Sequence, residues 1–183
     1  MKIGKIFLIF TFLIYACETT EVKTMEEYAG PMYELADVET LYSEGEEEVD
    51  TLAFVKFKLM ADRQMIFENE DMEFPEGIYI ENYEMDGTVA FTLKANMGFY
   101  DNEEQVYKAE GNVVLRNLLE DQQVNSEELY WKPGPGDDAI YTDKFVIVKT
   151  KSEIIYGEGL RASQNFETFK ILKPSEGSFV IEE

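Results

Sequence analysis

Residues 55–61 read VKFKLMA and residues 89–95 read VAFTLKA. In the first, Val55, Phe57, Leu59 and Ala61 alternate with Lys56, Lys58 and Met60; in the second, Val89, Phe91, Leu93 and Ala95 alternate with Ala90, Thr92 and Lys94. Successive side chains of an extended backbone point to opposite faces, so a period of two places the apolar set on one face of a half-buried strand. Around these segments aromatic and β-branched residues are plentiful. Turn signals recur at Asp86-Gly87, Asp101-Asn102 and Pro133-Gly134-Pro135-Gly136, and no long helical period follows the first apolar run. The fold class is all-β.

The alternation is repeated in phase. Ala61, Ala95, Leu129 and Ala162 follow one another at 34, 34 and 33 residues, in the segments FKLMA, FTLKA, SEELYW and GEGLRA. Each is followed by a polar turn and a return strand: GIYI from Gly77, GNVVL from Gly111, KFVIV from Lys144 and SFVI from Ser178. Gly77 and Gly111 each stand 16 residues after the alanine, as Phe145 does after Leu129 and Ser178 after Ala162. One strand pair cannot bury its apolar face alone; stacked pairs enclose a continuous interior and leave an edge at each end. Two sheets folded face to face give a twisted antiparallel β-jelly roll or an elongated open β-sandwich built from repeated strand pairs. Alternation assigns Phe57, Leu59, Phe91, Leu93, Val113, Leu115, Leu129, Trp131, Phe145, Ile147 and Leu160 to the slot between the sheets.

The N-terminus carries a different signal. Lys2 and Lys5 precede a ten-residue apolar run, Ile6 to Tyr15, which leads through Ala16 into Cys17. A membrane-spanning helix needs about 20 apolar residues, so the run has the layout of a secretory signal peptide. A small residue before a cysteine, preceded by aliphatics, resembles the lipobox of bacterial lipoproteins. That resemblance implies cleavage before Cys17 and a lipid on its thiol. The expected division is a lipoprotein signal over 1–16, a lipidated N-terminus and tether over 17–35, and one β domain over 36–183. The tether is polar, contains Gly30-Pro31 and shows no sustained period. The acidic stretch from Glu44 to Glu48 reads as a solvated turn or loop without calcium-loop spacing.

Composition narrows the chemistry. The chain has 16 basic and 38 acidic residues, a net −22 that becomes −24 without the two signal lysines. Such a surface repels nucleic acid. With no histidine, imidazole catalysis and imidazole metal ligation are excluded. Cys17 is the single cysteine, which leaves no disulfide and, once lipidated, no thiolate chemistry or structural zinc. No nucleophile elbow and no phosphate loop occurs, and the GEG at Gly157 to Gly159 reads as a tight strand junction. The expectation is a binding module with no catalytic residue, metal or cofactor. A carbohydrate-active enzyme remains the minor alternative, because glycosidases need only two carboxylates.

Two further stretches carry a resemblance. EELYWKPGPGDDAIYTDKFVIVKTKSEIIYGEGLRASQNFETFKILKPSEG, residues 127–177, resembles the C-terminal half of the LptC family, the periplasmic component of the lipopolysaccharide-export ABC transporter. LKANMGFYDNEEQVYKAEGNVVLRN, residues 93–117, is similar to the repeat shared by that family and its bridging relatives. The resemblance covers residues 36–183 in order and spacing. It implies a jelly roll open along one side, joined end to end with like domains. It further implies passage of lipopolysaccharide, held by its acyl chains, from the transporter's membrane subunits to a periplasmic bridge protein. The C-terminal strand, with Ser178, Phe179, Val180 and Ile181, is then the bridge-docking edge. The lipid on Cys17 replaces the family's transmembrane helix and anchors the chain at the periplasmic face of the inner membrane. A connector lipoprotein of the same fold, without a lipid path, is the alternative.

Overall fold

The computed structural model describes residues 28–44, 54–134, 138–164 and 166–179. The signal segment, Cys17 and the first part of the tether lie outside these residues, as do 45–50 of the acidic loop and Val180 and Ile181. Among the described residues, eleven strands form a single antiparallel sheet: β1 (Tyr33–Glu44), β2 (Phe54–Ile66), β3 (Met72–Phe74), β4 (Ile78–Tyr83), β5 (Val89–Ala95), β6 (Met97–Asp101), β7 (Val106–Asn117), β8 (Gln122–Trp131), β9 (Ile140–Lys149), β10 (Glu153–Ala162) and β11 (Phe169–Phe179). The described residues contain no helix, and the fold is all-β, consistent with a jelly roll or β-sandwich.

β3 and β4 are two pieces of one interrupted strand, broken at Pro75-Glu76-Gly77; β5 and β6 are likewise one strand broken at Asn96. Proline cannot donate to a ladder, and Gly77 takes φ +114°, a conformation that L side chains rarely adopt. β2 pairs along its length with β1 and, on its other side, with β4 and then β3. β7 pairs with β8 on one side and with β5 and β6 on the other. β9, β10 and β11 continue the sheet. Three strand pairs expected from the repeat are present: β2 with β3 and β4, β5 and β6 with β7, and β8 with β9; in the fourth, GEGLRA pairs with the start of β11, from Phe169 to Pro174, and not with the return strand read from Ser178.

The interruptions line up with register shifts in the longer strands, between Glu110 and Val113 of β7, Ser126 and Tyr130 of β8, and Glu158 and Leu160 of β10. Bulges bend a strand and sharpen its twist. Gly111 and Gly159, at φ +76° and +77°, supply the left-handed turns. The effect is a crease running across the strands, which folds one sheet into two facing halves. Phe57 of β2 lies 5.2 Å from Trp131 of β8, ring to ring, although β4, β5 and β7 stand between those strands in the sheet. The repeat has a physical meaning here: Gly77 and Gly111, spaced at 34 residues, are crease residues, and Ala61, Ala95, Leu129 and Ala162 are all buried.

One hydrophobic cluster fills the space between the halves, from Phe57 and Leu59 in β2 to Leu160 and Ala162 in β10, with Phe169 and Ile171 of β11 packed against it. Each large side chain buried in this way contributes about 1.5–3 kcal/mol.

Two placements differ from the sequence reading. Phe145 and Ile147 do not line the interior: Phe145 is 51% exposed and Ile147 half-buried, while Val146 and Val148 are fully buried. The run KFVIV is apolar in both phases, so alternation within β9 cannot choose a face. The partner strand chooses it. Val148 lies opposite Val124 of β8, which points inward, and cross-strand partners share a face. Strand β1, in turn, begins at Tyr33, inside the stretch 17–35 read as tether. Asp37, at φ +52°, breaks the alternation there, and the strand is held by its pairing with β2, by the Lys58–Glu39 ion pair at 3.0 Å and by Arg63 with Glu34.

Candidate functional site

The side of the fold away from the crease is a mouth between two rims. Along one rim, cross-strand partners run Tyr42, Phe57, Asn82, Phe91, Asn117 and Gln122. Along the other they run Ile66, Met72, Tyr100, Tyr107, Trp131, Ile140, Ala162 and Phe169, one residue from every strand between β2 and β11 that reaches this rim. The second row carries no charge. It exists because each strand delivers an apolar residue of the same parity to the same level.

Aromatic rings close the mouth. Phe57 meets Tyr107 and Trp131 edge-on at 5.9 and 5.2 Å, and Phe91 meets Trp131 edge-on at 5.7 Å. Trp131 stacks on Tyr107 at 5.3 Å, Tyr107 lies 4.7 Å from Tyr100, and Tyr42 stacks on Phe57 at 5.0 Å. Such pairs contribute about 0.5–1.5 kcal/mol each beyond the area they bury. Farther along, Phe166 turns inward from the loop between β10 and β11, at φ +57°, and stacks on Phe169 at 5.2 Å. At the β1 end the mouth is half open: Tyr42 is half exposed, although the Phe57 ring beneath it is buried, and Leu35 beside Gln64 is also exposed.

Nine slot residues from the sequence, Phe57, Leu59, Phe91, Leu93, Val113, Leu115, Leu129, Trp131 and Leu160, belong to the interior cluster at no more than 4% exposure. They pack against one another as a closed core, without an open trough at their level. Of the docking-edge residues, Ser178 and Phe179 end β11 opposite Ile154 and Glu153. β11 has β10 as its one neighbour in the described sheet, so its other side is an edge; β1 is the opposite edge. The alternation did not reveal Tyr42, Tyr100, Tyr107 or Phe166. Tyr42 follows the irregular part of β1, Tyr100 and Tyr107 flank the turn 102–105, and Phe166 sits in a loop with no period of its own.

Two phenols of the mouth, Tyr107 and Tyr100, are raised above their ordinary value. Burial pushes the Tyr107 hydroxyl well above its ordinary value, with Tyr100 and Tyr42 adding to the effect; burial also raises Tyr100. Tyr83 donates to Glu81 at 2.6 Å and is pushed up to about 12, chiefly by that hydrogen bond. Raised folded-state values mean that the stabilisation is fully present below the unfolded tyrosine value of about 10 and is lost as pH rises through the folded values. The urea midpoint is therefore expected to hold from about pH 7 to 9 and to fall steeply above about 10. Ordinary tyrosine titration by absorbance, with the fold intact, would show that the mouth is wet.

The chain matches no family model and no curated protein.

Proposed function

We propose that this chain is a lipid-anchored periplasmic component that passes lipopolysaccharide from the membrane subunits of an inner-membrane ABC transporter to a bridge protein of like fold. The reading rests on the resemblance to the LptC family. The observation that carries it furthest is the uncharged row from Ile66 to Phe169. Its half-buried members, Ile66, Met72, Tyr100, Tyr107 and Phe169, offer an alkyl chain apolar contact, while Trp131, Ile140 and Ala162 between them are enclosed in the core. The acidity of the chain disfavours anionic head groups, so the acyl chains supply the affinity and the sugars stay in solvent. Free edge strands accept partners by main-chain pairing: β11 suits the bridge.

The test is photo-crosslinking in living cells, with the reactive residue at Tyr107 or Tyr42 and, as control, at outward-facing Phe145. Capture of lipopolysaccharide at the first two and not at the third is expected; no capture at any of them removes the lipid path. Deleting residues 176–183 is expected to leave a folded domain, since β11 keeps its pairs from Phe169 to Pro174, while co-purification with the bridge protein is lost. Wild-type binding by the truncated chain would place docking elsewhere. A connector lipoprotein without lipid transfer is the second reading. The close packing of the interior cluster favours it, and the crosslinking experiment decides between the two.

A further inference from the structure

The outer face of β6, β7 and β8 carries a cavity of its own. Side chains alternate along these strands, so Tyr100, Tyr107 and Trp131 turn inward while Phe99, Lys108 and Tyr130 turn outward. An open space of about 420 Å³ lies between Phe99 and Tyr130, floored by Val106 and Lys108 and rimmed by Asp101 and Glu104. Walls and floor are half-buried and the two carboxylates exposed, so the space opens to solvent. Two aromatic faces confront each other across it. Lys108 Nζ lies over the Phe99 ring, 5.5 Å from its centre, which shows that this face is turned toward β7. Tyr141 of β9 stacks on one face of Tyr130, at 5.1 Å and 7°, which leaves the other turned toward β7 from the opposite side. Phe99, Lys108 and Tyr130 are in register on successive strands. Strands stand about 4.8 Å apart, so the walls are about 10 Å apart, room for one flat ring touching both. The Lys108 ammonium is paired with Glu110 at 2.8 Å and Glu128 at 3.2 Å, away from Val106, and keeps one of its three hydrogens. Among the described residues, Asp101 Oδ1 accepts from the Glu104 N–H at 2.8 Å, while Asp101 Oδ2 and the Glu104 carboxylate have no partner.

We propose that this cavity binds a neutral, β-(1→4)-linked glycan of glucose configuration, with one pyranose ring held between Phe99 and Tyr130. Such a ring has C–H groups on both faces and hydroxyls around its edge. The faces suit the two aromatic walls, and the hydroxyls donate to Asp101 and Glu104 and accept from Lys108. Equatorial linkages carry the chain out of the slot at both ends. An axial hydroxyl would press a polar group against one wall without a partner. An anionic sugar would meet Asp101, Glu104, Glu110 and Glu128 against the single charge of Lys108. A flat hydrocarbon would use the walls and strip water from two carboxylates without replacing it. The site is independent of the lipid reading, because the mouth lies on the opposite face of the same strands.

The experiment is titration calorimetry of the purified full chain with cellotriose and with β-(1→4)-mannotriose, which differs by one axial hydroxyl on each ring. The wild type is expected to bind cellotriose, and mannotriose about tenfold more weakly. Tyr130→Ala, which removes a wall, should weaken cellotriose about tenfold. Glu104→Gln, at an exposed position that leaves the fold unchanged, should weaken it about fivefold, the difference between a charged and a neutral acceptor. Phe145→Ala, exposed on the outer face but outside the cavity, should bind as the wild type does. Circular dichroism checks that each variant is folded; if Tyr130→Ala unfolds, Glu104→Gln decides. No binding of cellotriose by the wild type, equal affinity for the two trisaccharides, or full affinity in the folded cavity variants overturns the proposal. Neither probe carries an acyl chain, so each of these outcomes leaves the lipid reading to the crosslinking at Tyr107 and Tyr42.

Discussion

Phe91→Asp unfolds the domain, whereas Phe145→Asp leaves its stability within about 0.5 kcal/mol of wild type. Phe91 is 1% exposed and edge-on to Trp131. Its cross-strand neighbours are Asn82 and Asn117, so no cation is in register to receive a carboxylate. Losing the ring from a packed core costs about 3–5 kcal/mol, and an unpaired buried charge adds several more. Against a total stability of about 5–15 kcal/mol for a domain of this size, that loss leaves little folded protein at ordinary temperature. Phe145 lies on the outer face, 51% exposed, near Tyr156 at 6.5 Å and opposite Glu158. An aspartate there is hydrated and meets only the mild repulsion of Glu158. Circular dichroism and urea melts on the two variants check both halves. Equal destabilisation would mean that β9 presents its other face to the core.

The second large effect is expected at Gly157, where β11 crosses closest to β10. A Cβ at this position would stand 2.5 Å from Ile171 Cγ2, 2.6 Å from the Lys173 carbonyl oxygen and 3.0 Å from Pro174 Cα. Two of these are backbone atoms, which cannot swing aside as a side-chain end can. The pairing is already shifted by a bulge between Ile155 and Gly157, which leaves no slack for a further shift. Gly157→Ala is expected to cost about 2–3 kcal/mol, and Gly157→Val to strip β11 from the sheet. Fast amide exchange confined to β11 and its partner groups on β10, with β2 to β8 still protected, is the signature. Gly177→Ala is the control: its Cβ would meet only the Ile154 carbonyl oxygen, at 3.5 Å, an ordinary contact expected to change stability by less than about 0.5 kcal/mol. Tolerance of valine at Gly157 would show that β11 lies farther from β10. Because β11 is also the edge proposed above for the bridge protein, Gly157→Val is expected to abolish docking while leaving the mouth intact.

Much of the architecture is local and was therefore legible in the residues. Alternation in VKFKLMA and VAFTLKA follows from strand geometry alone, and it placed Phe57, Leu59, Phe91 and Leu93 correctly in the interior. The spacing marked Gly77 and Gly111 as the starts of return strands, and the structure adds that both take positive φ at the crease. The GEG at Gly157 to Gly159, read as a tight strand junction, lies inside β10 instead, where Gly157 is in close contact with β11 and Gly159 takes φ +77°.

Other features depend on which strand meets which, and no local pattern holds that information. In KFVIV both phases are apolar, so the inward set, Val146 and Val148, is decided by register against Val124. β1 is a strand because β2 offers it a ladder, while its own sequence is broken at Asp37. Phe166 enters the core from a loop, where the end of the interior, and no periodicity, sets the direction of a side chain. The meeting of Phe57 with Trp131 needs the sheet to fold at its crease, bringing β2 and β8 face to face across the strands between them. Periodicity by itself determined that this chain makes strands with one apolar face. Only the tertiary structure decided where those faces meet and which polar groups are enclosed, because both depend on the pairing of residues far apart in the chain.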